Sequence, residues 1–381
     1  PWTLKFLWSP FLEMFKTKKF FVVFTQIASG VGFGLVALSL QLPHFFACSI
    51  ALLAVIAFSG ATHDIATDGV YMTELSKSDQ AKYIGWQGAF YNIAKIVASG
   101  GLVYLAGWLV KRFGGVEGAS GEVVYEANVH AWMIVMFVMA IVMISLGLYH
   151  TRMLPSGGAA TSEATSFKET FDKLVEVILD FFKKKHIWYY IAFIILYRFA
   201  EGFVMKIVPL FLKAGREIGG LGLSEQEIGI YYGTYGAAAF VLGSLLAGYY
   251  ISHRGLKKTL FSLCCTFNLP FIAYTLLAIY QPTSGMLIGG AIVLEYFGYG
   301  FGFVGLTLFM MQQVAPGKHQ MAHYAFASGI MNLGVMLPGM VSGFVSDWLG
   351  YRDFFIFILF AAIPAFLITY FVPFTYPDAK K

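Results

Sequence analysis

Apolar residues run along this chain in long blocks separated by short polar ones. Ten blocks reach the length of about 20 residues that a helix needs to cross a hydrocarbon core. They cover 20–41, 44–73, 81–111, 129–150, 187–212, 225–252, 258–280, 285–312, 320–349 and 353–372. Pro209, Pro270, Pro338 and Pro364 fall inside them, which membrane helices tolerate. All ten are therefore predicted as α-helices. The polar block 151–186 differs from the others. It contains PSGGAATSEATS and then SFKETFDKLVEVILDFF, with apolar residues at 167, 171, 174, 175, 178, 181 and 182. That spacing marks one helix face. Ser166 and Glu169 form a capping-box pattern at its start, and Lys183, Lys184 and Lys185 follow its end. The block predicts a linker helix between a first half, 1–150, and a second half, 187–381. It either lies on the inner membrane surface or is an ordinary soluble linker.

Composition agrees with a polytopic membrane protein. Of 381 residues, 58% are hydrophobic and 12% charged, where a soluble domain carries about 25% charged. The net charge of +5 gives no basic face for nucleic acid. Cys48, Cys264 and Cys265 all lie in apolar blocks, without disulfide-framework or zinc spacing. Lys and Arg are unevenly shared between alternate loops. The set 12–19, 73–82, 150–186, 252–258, 313–319 and 373–381 holds 17, and the set 42–43, 111–128, 213–224, 281–284 and 350–352 holds 5. Positive loops face the cytoplasm, so the first set and the C-terminus are expected there. The 111–128 loop, with Glu117, Glu122 and Glu126, is expected outside.

The two halves carry a faint repeat. SPFLEMFKTKKFFVVF and GYYISHRGLKKTLFSL are both basic loops between spans, and aligning Lys19 with Lys258 gives an offset of 239 residues. On that offset about 50 residues are expected ahead of Pro1, one full span and most of a second. The result is an all-α integral membrane bundle with ten of twelve transmembrane helices present and two pseudo-symmetric halves. This architecture is similar to that of the major facilitator superfamily.

Local motifs narrow the resemblance. GATHDIATDGVY (60–71) resembles the fourth-span signature of the AmpG muropeptide permease family. TLKFLWSP (3–10), LYRFAEGF (196–203) and LEYFGYGFG (294–302) are similar to that family's second-, seventh- and tenth-span segments, in the same order. The resemblance implies a multi-pass protein of the bacterial inner membrane. Such a protein would import cell-wall-derived anhydro-muropeptides on the proton gradient, a step of peptidoglycan recycling. The wider group includes acetyl-CoA transporters. The chain departs from the pattern at His63, where the family often has Gln, at Glu201, where Asp is common, and by its added Lys206.

Ionisable residues inside spans cost about 2.5–3.5 kcal/mol each on insertion scales, so each asks for a role. Asp64 and Asp68 share one face of their helix. Gln87, Tyr91, Lys95 and Ser99 stand at i, i+4 spacing with Asn92 beside them, a polar stripe with a cation at its centre. A structural lysine paired to a carboxylate is the plainer reading of Lys95. Arg198 and Glu201 are spaced for a pair within one helix, and Lys206 follows further along. Glu295 is alone in its span. Asp347, at a span end, reads as a boundary residue. His63 has no second His or Cys at ligand spacing, so no metal site is expected. Gly300, Gly302 and Gly305 match G-x-G-x-x-G, but no strand precedes them, so they read as a close-packing helix face.

No hydrolase or ATP-binding motif occurs, and neither catalytic residues nor a cofactor are expected. The expectation is a monomeric proton-coupled importer of a sugar-peptide, working by alternating access. Asp64 would be the proton site, Lys95 would hold its charged form, and Asp68 would relay, with Glu295 as the other carrier. Gln87, Tyr91, Asn92, Lys95, Arg198, Glu201 and Lys206 would face the substrate. The competing readings are a transporter of another anionic solute, such as a nucleotide or acyl-CoA, and a membrane sensor on the same scaffold.

Overall fold

The structure is a computed structural model that describes residues 1–158 and 167–378. Its main helices are α1 (Lys18–Ser39), α2 (Phe45–Glu74), α3 (Lys77–Arg112), α4 (Gly121–Met153), α5 (Phe167–Phe182), α6 (Ile187–Tyr197), α7 (Phe199–Lys213), α8 (Glu225–Arg254), α9 (Leu256–Tyr280), α10 (Gly285–Val314) and α11 (Gln320–Tyr370). Among the described residues, eight helices are long and apolar enough to cross a membrane. The ten expected spans are recovered once two backbone events are recognised. Gly350, at φ 71° and ψ 162°, divides α11 into two arms, a conformation open to glycine because it lacks a Cβ. Arg198, at φ −108° and ψ 6°, breaks the 187–212 block into α6 and α7.

Polar residues set several helix starts. The Thr17 hydroxyl accepts from the Phe20 N–H at 3.2 Å ahead of α1. Ser224 and Glu227 make a reciprocal capping box at α8. Each such cap satisfies donors that the first turn would otherwise leave open. The Ser166 part of the box expected at α5 lies outside the described residues.

Packing divides the chain into two units. The first comprises Pro1–Glu74 and Ile93–Leu174, the second Leu75–Asn92 and Val175–Lys381. In the first, α1 packs against α2 and α4. Val22, Ala66 and Val70 close one small core, and Ala106, Leu109, Ala131 and Val135 another. Polar contacts stitch the same helices. Ser29 Oγ meets Ser59 Oγ at 2.9 Å, and Gln26 Oε1 meets His150 Nδ1 at 2.9 Å.

In the second unit, α7, α9, α10 and α11 enclose a larger core that includes Phe211, Tyr274, Ile292 and Phe355. The glycines of α10 let it approach its neighbours closely, as their spacing suggests. A Cβ on Gly300 would stand 2.2 Å from the Phe240 carbonyl oxygen of α8, and one on Gly298 would stand 2.3 Å from the Thr266 oxygen of α9. Both obstacles are helix backbone and cannot rotate away. Gly300→Ala is therefore expected to destabilise the protein by about 1–3 kcal/mol. Gly290→Ala, which meets nothing within 4 Å, should be neutral. Thermal unfolding of the purified protein in detergent, followed by circular dichroism, compares the two.

The linker helix α5 is less simple than its single apolar face suggested. Val177 and Phe181 are buried, while Phe171, Val175, Leu179 and Phe182 remain exposed. Its Val177 carbonyl accepts from His323 Nε2 at 3.1 Å, and the Phe181 ring lies 5.1 Å from that of Phe326. One side of α5 thus docks on the start of α11, and Phe171, Val175 and Leu179 form an exposed apolar stripe on another side.

Candidate functional site

The first unit places both aspartates of the 59–71 stretch on α2. Asp68 is buried. Asp64 is half-exposed, and its Oδ2 receives the Lys5 ammonium at 2.6 Å. Lys5 is itself only 3% exposed, in the short helical turn Lys5–Leu7. The Trp8 indole N–H donates to Thr62 Oγ1 at 3.1 Å and fastens the same segment to α2. The cation beside Asp64 is therefore Lys5, where the sequence suggested Lys95. Lys95 is exposed on α3 and forms no ion pair among the described residues. Two residues beyond it the helix widens into a π-helical turn, Val97–Gly101, a distortion common at functional sites. His63 accompanies Asp64, and its Nδ1 lies 3.5 Å from Thr67 Oγ1.

The second unit holds the remaining candidates. On α3, Gln87 is half-buried and Tyr91 is 72% exposed. The Asn92 amide donates to the Gly88 carbonyl at 3.0 Å. At the α6–α7 break, the Arg198 guanidinium grips Glu201 with two bonds, Nε to Oε2 at 2.5 Å and Nη2 to Oε1 at 2.7 Å. Both residues are buried. Arg198 also lies over the Phe303 ring at 5.1 Å. The break fits this pair: Glu201 sits in the first turn of α7, where the helix dipole favours a carboxylate.

Beside the pair is a cavity of about 440 Å³, within the range of small-molecule sites. Arg198 at the α6–α7 break lines it with Met205 and Lys206 of α7, and Asn332, Val335, Met336, Gly339 and Met340 line it from α11. The Lys206 stem rests on Gly339, where an added Cβ would lie 3.5 Å from the lysine Cγ. Lys206 is exposed and makes no ion pair among the described residues. The cavity thus presents one satisfied cation, one unsatisfied cation, an amide and three thioethers.

Glu295, on α10, is 8% exposed. Its Oε2 accepts from the Tyr274 hydroxyl at 3.3 Å, and no cation pairs with it among the described residues. Sequence reasoning singled out Glu295 but had no means of naming Tyr274. Lys5, the partner of Asp64, and the lining residues Asn332, Met336 and Met340 were also missed. A lysine in a segment read as a span end and methionines in a span carry no local signal of a site, whereas Asn332 is a polar residue within the 320–349 block and did carry one.

Broken and π-wound membrane helices that carry buried ion pairs and lone cations are the build of a secondary transporter. The chain belongs to the Major Facilitator Superfamily, whose sequence profile matches residues 2–316 and 218–381. It is a multi-pass membrane transporter of that class. It is similar to the anhydromuropeptide permease of Escherichia coli, 23% identical over 96% of this chain and 69% of the relative. It is also similar to a Rickettsia conorii protein carrying the name AmpG 4, 22% identical over 96% of this chain and 84% of that protein. Among solved structures, the Escherichia coli fucose:proton symporter FucP superposes with a TM-score of 0.69 at 14% identity, covering 97% of this chain and 87% of that one. That likeness concerns the fold.

Proposed function

We propose that this chain imports an anionic sugar-peptide, an anhydro-muropeptide, together with protons across a bacterial inner membrane. The observation that carries the reading is Lys206, an exposed ammonium without an ion-pair partner among the described residues, beside Arg198 in a cavity within a membrane-spanning unit. A cation within a spanning segment calls for a countercharge, and a substrate carboxylate supplies one. Met205, Met336 and Met340 offer adaptable apolar surface for the sugar. Tyr91, 72% exposed, offers a ring face. The similarity to a permease for anhydromuropeptides supports the same substrate class. The 17-to-5 share of basic residues supports a cytoplasmic C-terminus.

The proton carrier we favour is Glu295. Asp64 already holds a lysine at 2.6 Å, so its charge has a fixed partner. Glu295 is buried with one neutral hydrogen-bond donor among the described residues, which suits a group that gains and loses a proton.

Proteoliposomes containing the purified chain, with and without an imposed proton gradient, test the reading with labelled anhydro-muropeptide. Gradient-dependent accumulation is expected. Lys206→Gln should raise the half-saturating concentration at least tenfold, the equivalent of about 1.4 kcal/mol. Accumulation of a nucleotide or acyl-CoA with no competition by muropeptide would replace the substrate assignment.

A further inference from the structure

The linker helix and the start of α11 bring together a second group of polar side chains with no part in the transport reading. Glu176 and Asp180 stand one turn apart on α5, and His319 immediately precedes α11. One ligand-capable atom from each lies within 4.8 Å of the others. His319 Nε2 is 3.9 Å from Asp180 Oδ2, close but outside hydrogen-bond reach. His319 is 5% exposed, yet neither ring nitrogen has a hydrogen-bond partner among the described residues. A buried imidazole that faces two carboxylates with both nitrogens unused is uncommon, since buried polar groups are normally paired.

We propose that Glu176, Asp180 and His319 form a binding site for a borderline divalent cation of the zinc class, which clamps α5 to the start of α11. One nitrogen and two carboxylate oxygens are a donor set that zinc accepts. Around a tetrahedral zinc, ligand atoms stand about 3.4 Å apart. The two carboxylates close that gap by rotation, because Asp180 and Glu176 are 43% and 47% exposed. His319 provides the fixed point.

The surroundings prepare the site. Lys184 donates to the carbonyls of Val314, Ala315 and Pro316 at 2.8, 3.2 and 2.6 Å. These bonds hold the turn that leads to His319 and engage the Lys184 ammonium with backbone carbonyls. The bond from His323 Nε2 to the Val177 carbonyl fixes α5 against α11 at the same level. Lys318 reaches Glu176 Oε1 at 3.1 Å. That pair is exposed and therefore weak, and a divalent ion displaces it. The sequence carried a trace of this site in the four-residue spacing of Glu176 with Asp180, but His319 lies far along the chain.

The test uses the full chain, purified without a histidine tag and stripped with a chelator, then titrated calorimetrically with zinc chloride. One saturable site per chain is expected. Asp180→Asn and His319→Gln should each weaken binding at least tenfold, while His253→Gln, an exposed histidine on α8, should leave it unchanged. Cobalt titration of the parent chain should give the visible absorption of a four-coordinate site, which Asp180→Asn removes. Absence of saturable binding, or equal binding in Asp180→Asn, overturns the proposal. Asp180 is half-exposed, so its variant remains decisive if His319→Gln fails to fold. None of these readouts depends on transport.

Discussion

Glu201→Gln should lower the stability of the protein by about 3–5 kcal/mol, the cost of breaking a buried ion pair from one side. Arg198 and Glu201 are 6% and 2% exposed and joined by two bonds of 2.5 and 2.7 Å. A glutamine keeps the shape but removes the charge, leaving a buried guanidinium with only neutral partners, among them the Phe303 face and the Tyr299 side chain. The double variant Arg198→Met/Glu201→Leu should regain most of the loss, because apolar residues of similar volume often replace such pairs without penalty. Thermal unfolding in detergent separates the cases. Transport separates them further: the double variant folds but has lost the cavity's Arg198, so its substrate binding should fall. A double variant as unstable as Glu201→Gln would mean that the pair specifies the α6–α7 break, and not merely that it avoids a stranded charge.

Hydropathy located the spans because each backbone polar group in lipid must be bonded within its own helix, which forces long apolar blocks. The same signal could not place the break at Arg198, since the block 187–212 is apolar on both sides of it. Nor did it separate the two sides of α5. Phe181 and Leu179 look alike in sequence, but one packs on Phe326 and the other stays exposed. Side-chain roles were legible where partners are sequence neighbours, as for Arg198 with Glu201. They were illegible where the partner is remote. Helical rise places Asp64 and Lys95 at similar depths, which suggests that they pair, but the lysine that reaches Asp64 is Lys5, 59 residues away. Rise gives depth along the membrane normal but not the rotation of one helix towards another. Glycine spacing on α10 was readable because close helix approach requires the absence of a Cβ, whatever the partner.

Glu295→Gln should abolish gradient-driven accumulation, by tenfold or more, while leaving expression and counterflow exchange near the parent level. Glutamine matches the volume of glutamate, and its amide oxygen can still accept from Tyr274, so the 3.3 Å contact and the packing of α10 survive. What is lost is the ability to bind and release a proton during the cycle. Counterflow needs only that the loaded carrier cross, so it continues without a carried proton; net uphill transport does not. Asp64→Asn offers the contrast. It removes a half-exposed carboxylate from the Lys5 pair and strands a lysine that is 3% exposed, so its main expected effect is on stability. If Glu295→Gln accumulates substrate against a gradient as the parent does, Glu295 is not the coupling residue. A selective loss of accumulation in a stably folded Asp64→Asn would then move the proton to the α2 site. Tyr274→Phe adds an independent check. Removing the donor leaves Glu295 without its one described hydrogen bond, so the pH dependence of uptake should move away from that of the parent, with accumulation retained.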